Sequence, residues 1–224
     1  MTASEAVSGR RTVRALSIPR AGLLAVLLGI AMASSSVVFS EPAPVDVLML
    51  GFIGGLVVLG GWRLGTIALF NGAAWLVLVG TMLSPDFGGA FTHQVVTLYL
   101  AIGAMAIAAF VAAEPARRGT LVLACYTFGA LVACAAAYVG YFEMAPGAYD
   151  LFTRYGRARG TFKDPNVFGA AVAPAICYLV WLVLRRPLPQ VWLPAALAMF
   201  MLPALIISFS RGAWISLAAS LLVV

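Results

Sequence analysis

The chain has 224 residues, 63% of them hydrophobic and only 10% charged, with a mean hydropathy of +1.02. Soluble globular proteins are nearer half apolar and a quarter charged, so 14 basic and 8 acidic residues are too few to cover a water-facing surface of this size. That excludes a soluble domain, a disordered chain and a conventional nucleic-acid binder despite the isoelectric point near 9.7, and leaves a polytopic membrane protein. Residues 1–20 form a basic N-terminal segment carrying Arg10, Arg11, Arg14 and Arg20. Apolar runs that can cross about 30 Å of hydrocarbon follow at Ala21 to Phe39, Val47 to Trp62, Leu64 to Leu83, Val95 to Ala113 and Thr120 to Phe142, giving five helices within 21–142. A basic loop occupies 143–166. Within 167–224 come Val167 to Leu184, Val191 to Phe209 and an eighth run that begins near Gly212 and stops at Val224. Thirteen residues rise only about 20 Å, so this last span reads as truncated and the chain as continuing beyond it.

The runs are apolar on all sides rather than alternating, which selects helices over a strand barrel. The expected fold is all-α: a transmembrane bundle of seven full spans and a truncated eighth. Gly51/Gly55 and Gly61/Gly65 have the small-xxx-small spacing that lets helices approach closely. Pro174, Pro194 and Pro203 fall within spans and predict local kinks. Cys125, Cys134 and Cys177 lie in apolar runs without metal-ligand spacing and read as packing residues.

Basic residues set the orientation. With the N-terminus cytoplasmic, Arg10, Arg11, Arg14, Arg20, Arg63, Arg117, Arg118, Arg185 and Arg186 lie inside, and Arg154, Arg157, Arg159, Lys163 and Arg211 outside, 9 against 5. A cleavable leader ending at Ala31-Met32-Ala33 is the rival reading of the first span. Apolar sequence resuming through Val37, Val38 and Phe39 favours an uncleaved helix, and the downstream orientation is the same either way.

Four of the five outward cations fall between Arg154 and Lys163, a window without an acid. Cations retained there against the topological bias point to a bound anion, the alternative being a solvated loop on lipid headgroups. Asp164-Pro165-Asn166 then starts a helix, because proline fixes φ and Asp or Asn caps backbone N–H groups. The positive end of that helix lies beside Arg159 and Lys163, and helix N-termini favour phosphates. Arg211, in Ser208-Phe209-Ser210-Arg211-Gly212, either snorkels to the interface or points inward as a second anion clamp. His93 has the chemistry of a general base but nothing nearby in sequence to orient it, and Asn71, Asp46 and Glu143 are isolated polar groups.

The outward segment "RGTFKDPNVFG" (Arg159 to Gly169) and, two spans later, "SFSRGAW" (Ser208 to Trp214) resemble the O-antigen ligase/polymerase family of bacterial envelope glycosyltransferases. Residues 150–224 carry the resemblance in motif, and residues 1–150 only as a stack of spans. It implies the N-terminal portion of a larger inner-membrane enzyme, making lipopolysaccharide or exopolysaccharide, that takes an undecaprenyl-diphosphate-linked glycan as donor. The glycan goes to a lipid-linked or polysaccharide acceptor on the periplasmic side, without a cofactor or a metal. The resemblance places Arg159, Lys163, Asp164, Asn166 and Arg211 at the donor diphosphate, with Arg154 and Arg157 secondary. The family's histidine on a large loop after SRG has no counterpart, so no catalytic residue is expected here and the 224 residues alone are expected to be inactive. The competing readings are a transporter or flippase for an anionic lipid-linked glycan and an inactive membrane segment. Transporters place ionisable groups mid-membrane and repeat their broken spans, and these spans are nearly free of charge.

Overall fold

The computed structural model describes residues 18–40, 42–59, 74–75 and 77–223. In chain order the helices are α1 (Ile18–Ser34), α2 (Pro44–Val58), α3 (Phe87–Val111), α4 (Pro115–Tyr141), α5 (Ala148–Phe152), α6 (Pro165–Arg185), α7 (Trp192–Ile207) and α8 (Arg211–Leu221). A two-stranded hairpin, β1 (Thr153–Arg154) and β2 (Arg157–Ala158), lies between α5 and α6, and a 3₁₀ turn (Leu188–Gln190) between α6 and α7. Among the described residues three helices, α3, α4 and α6, are long and apolar enough to cross a membrane, with 25, 27 and 21 residues. Shorter apolar helices run over Ala21–Ser34, Pro44–Val58 and Trp192–Ile207. Arg10, Arg11, Arg14, Glu41, Arg63, Asn71, the Gly61/Gly65 pair and most of the expected third span lie outside the described residues, which resume there as the helical residues 77–82.

Two cores are seen among the described residues. In the first, Leu24, Leu28 and Met32 of α1 pack with Met49, Phe52 and Leu56 of α2 and with Ala106 and Phe110 of α3. Phe52 meets Phe110 edge-to-face at 5.6 Å between centroids, the geometry the ring quadrupoles prefer. Of the Gly51/Gly55 pair, a Cβ on Gly55 would sit 2.9 Å from Leu24 Cδ2 of α1, whereas one on Gly51 would make only ordinary contact with Leu27 at 3.7 Å. Asp46 starts α2 by accepting from the Ala43 N–H at 2.7 Å, and its other oxygen accepts from the Tyr99 hydroxyl of α3 at 3.1 Å.

The second core gathers Ala130, Ala133, Cys134 and Ala137 of α4, Phe168, Val172 and Ile176 of α6, Met201, Ala204 and Leu205 of α7, and Ala213 and Leu217 of α8. Small residues along α4 let its neighbours come close, and Tyr126 donates to the Ala171 carbonyl of α6 at 2.6 Å. At the opposite end of α4, Arg118 donates to the Phe110 carbonyl at 2.9 Å and to Glu114 at 2.5 Å, with its guanidinium 4.3 Å over the Phe110 ring. That guanidinium holds the Glu114 carboxyl below the usual carboxylate range. All three cysteines are free thiols, with Cys134 fully buried, as packing residues should be.

Element limits differ from the apolar runs where local hydrogen bonds outweigh hydropathy. The first helix ends at Ser34, not Phe39, because the Ser34 and Ser35 hydroxyls turn back onto the Ala31 and Met32 carbonyls. Residues 36–38 then pair with the basic segment: Thr161 donates its hydroxyl to the Ser36 carbonyl, and Val38 N–H donates to the Thr161 carbonyl at 2.8 Å. The helix expected from Val95 already begins at Phe87, where Asp86 accepts from the Gly89 N–H. Segment 143–166, expected as a loop, instead contains α5 and the hairpin, and its inner face joins the second core through Ala158 and Phe162. Gly160 enters there at φ +53°, and a Cβ on it would lie 2.5 Å from the Ala133 carbonyl oxygen of α4. Only glycine fits such an approach. The inner face of the segment is therefore folded into the bundle end, while Arg154 and Lys163 stay exposed.

Candidate anion site at one end of the bundle

The ends of α1, α4 and α7 and the starts of α2, α6 and α8 gather at one end, joined by the contacts of Ser36, Thr161 and Ser208. There the two segments singled out in the sequence meet. Asp164 caps α6 by accepting from the Asn166 N–H at 2.7 Å. Ser210 caps α8 by accepting from the Ala213 N–H at 3.4 Å. Gly169 lies between them: a Cβ there would be 2.9 Å from both Ser210 Cβ and Ala213 Cβ and 3.1 Å from Ser208 Oγ. Two helix N-termini, each carrying partial positive charge, thus lie side by side.

The turn from α7 into α8 is built by its serines. Buried Ser208 donates to the Leu205 carbonyl at 2.6 Å and accepts from the Ser210 N–H at 3.3 Å, which drives Phe209 to φ +50°. A helix usually reserves that position for glycine, so phenylalanine there costs about 1 kcal/mol. Arg157 meets this turn, with Nε donating to the Ser208 carbonyl at 2.8 Å and Nη2 to the Phe209 carbonyl at 3.1 Å and to Asn166 Oδ1 at 2.8 Å. A cation on the orphaned carbonyls of a helix C-terminus is favourable.

The expected site residues consequently divide. Arg157, expected as a secondary contact, braces β2 against the end of α7. Arg159 spans from β2 to α5: its Nη2 donates to the Leu151 carbonyl at 3.0 Å and, more loosely, to that of Asp150 at 3.5 Å, while its Nη1 reaches the Lys163 carbonyl at 3.5 Å. Its Nε is buried and meets no partner among the described residues. Arg154 donates to the Lys163 carbonyl at 3.1 Å and lies 5.1 Å over the exposed Tyr155 ring. Asp164 and Asn166 serve as cap and as Arg157 acceptor. Part of the positive charge of this segment is therefore engaged by backbone carbonyls.

Arg211 behaves otherwise. It is exposed at the first turn of α8, and its guanidinium makes no hydrogen bond or ion pair with any described residue. Lys163 is likewise exposed on the rim of the segment. His93 sits on the exposed first half of α3, where its carbonyl accepts from the Thr97 hydroxyl and its imidazole has no hydrogen-bond partner among the described residues. No group of three His, Cys, Asp or Glu side chains able to hold a metal exists among the described residues.

Comparison with known proteins adds no relative: no family model, no curated protein and no solved structure matches the chain.

Proposed function

We propose that the chain is the N-terminal part of a multi-pass glycosyltransferase of the O-antigen ligase/polymerase type in the bacterial inner membrane. In this reading it has seven full spans, a cytoplasmic N-terminus and a periplasmic site that grips the diphosphate of an undecaprenyl-diphosphate-linked glycan. The reading rests on one observation above others: segment 154–166 and the turn 208–211, far apart in sequence, are bound to each other through Arg157, beside two helix N-termini. Arg211 is the residue this arrangement leaves with an uncommitted fork, which suits phosphate oxygens bidentately.

Breaking a sugar–diphosphate bond develops negative charge on the leaving group, and a guanidinium beside two helix N-termini is placed to stabilise it. The acceptor hydroxyl displaces at the anomeric carbon, and its activation lies with residues outside this chain. Arg211→Ala in the complete protein should lower polymer transfer by about 100-fold or more, with membrane insertion and melting temperature unchanged. The assay is glycan transfer from a lipid-linked donor, alongside thermal unfolding of the same preparation. Normal transfer by that variant overturns the assignment.

A further inference from the structure

Helices α6 and α7 each carry a proline in their interior, Pro174 and Pro203. Such a proline has no N–H for the carbonyl four residues before it. Its ring also pushes that carbonyl aside, so the next bond of the ladder slackens as well. In both helices the carbonyl three residues before the proline is met by a tyrosine hydroxyl from α4. Tyr126 donates to the Ala171 carbonyl at 2.6 Å, ahead of Pro174, and Tyr138 donates to the Phe200 carbonyl, ahead of Pro203. The Ala204 N–H, the ordinary helical partner of that Phe200 carbonyl, lies beside the same Tyr138 hydroxyl, which therefore stands in the gap of the ladder. The Tyr138 ring meets Phe200 edge-to-face at 5.1 Å. The two tyrosines are twelve residues apart on α4. On a helix that is about 18 Å and roughly a third of a turn out of phase, which aims one at each neighbour. Pro194 is the contrast: it lies in the first turn of α7, where N–H groups have no helical partner to lose.

Both breaks stand between the bundle interior and the candidate site. Pro174 separates the start of α6, with Asn166 and Gly169, from the rest of that helix, and Pro203 stands five residues before Ser208. The segment between them in the site is referred to the same helix, because Gly160 packs on the Ala133 carbonyl, between the two tyrosines of α4. We infer that Tyr126 and Tyr138 are positioning residues: each splices a proline break, and together they hold the end turns of α6 and α7 in one frame, that of α4. Without the hydroxyls the end turns pivot at the prolines, and Asn166 separates from the Ser208 carbonyl to which Arg157 joins it. The device rests on the helix geometry; that the turns it aligns hold a diphosphate rests on the proposed function.

The test is a pair of double-substitution cycles on the whole chain in lipid nanodiscs, read by amide hydrogen exchange. Tyr126→Phe and Tyr138→Phe keep the ring and lose only the hydroxyl. The first should speed exchange across 166–173 about tenfold, and the second across 204–209 by a similar factor. Pro174→Ala returns the missing N–H, so adding Tyr126→Phe to it should change exchange by less than about twofold. Pro203→Ala should cancel the Tyr138→Phe effect in the same way. The crossed pairs, Tyr126→Phe with Pro203→Ala and Tyr138→Phe with Pro174→Ala, should keep the full effect. A tyrosine that only fills space would give the same loss in every proline background. That outcome overturns the inference, as does coupling at one tyrosine alone or unchanged exchange on removal of either hydroxyl. No glycan or phosphate enters these readouts, so they stand or fall separately from transfer by Arg211→Ala.

Discussion

Gly169→Val should unfold the end of the bundle that carries the candidate site. The new Cβ would fall 2.9 Å from both Ser210 Cβ and Ala213 Cβ and 3.1 Å from Ser208 Oγ, and none of these atoms is the far end of a flexible chain. Relief requires α6 and α8 to separate, which breaks the Ser210 cap and pulls the turn away from Arg157. Overpacking of this kind costs about 1–3 kcal/mol, and more where the obstacle is backbone-linked. We expect a loss of about 3 kcal/mol or more in detergent unfolding, and loss of any anion binding with it. Gly169→Ala places the same Cβ without its branches and should fall between wild type and valine.

Arg157→Ala is expected to have the second largest effect, about 2–3 kcal/mol, because bonds from a charged donor to the Ser208 and Phe209 carbonyls and to Asn166 disappear together. Water reaches this half-buried site and recovers part of the loss. Arg157→Lys should recover little, since an ammonium cannot reproduce a fork that engages two successive carbonyls and an amide. The strained Phe209 makes the turn depend on this brace. Thermal unfolding, together with protease sensitivity near residue 209, checks the expectation. Surface substitution at Arg211, by contrast, should change stability by less than about 0.5 kcal/mol, so the two arginines separate a structural from a binding role.

The helical character of the chain and the approximate position of its apolar runs were legible, because a helix satisfies its own backbone and a long apolar run has no other stable form in lipid. The start of α6 was legible too: Asp164-Pro165-Asn166 carries its own capping chemistry. Other limits depended on single hydrogen bonds that hydropathy does not register, as at Asp86, which starts α3 well before the apolar run, and at Ser34 and Ser35, which stop α1 early. The hairpin at 153–158 escaped notice because Thr-Arg-Tyr-Gly-Arg-Ala has no alternation, and Tyr155 at φ +56° stands where a tight turn ordinarily has Asn or Gly.

At the site, the residue types were legible but their partners were not. Arg157, Arg159 and Arg211 look alike in the sequence. Arg157 finds its acceptors some fifty residues away, on carbonyls that exist as acceptors only once α7 ends. Arg159 finds them on the last turn of α5. Gly160 and Gly169 were invisible for the same reason, since their meaning lies in Ala133 and Ser210, which no local pattern connects to them.

The central claim is that the segment around Arg157 and the turn before Arg211 form one anion-binding site. Its most direct measurement is the affinity of the chain, in nanodiscs, for undecaprenyl diphosphate against undecaprenol. The account predicts tighter binding of the diphosphate, reduced about tenfold or more by Arg211→Ala at constant melting temperature. Equal affinity for the two lipids, or a diphosphate preference that Arg211→Ala leaves intact, would contradict it.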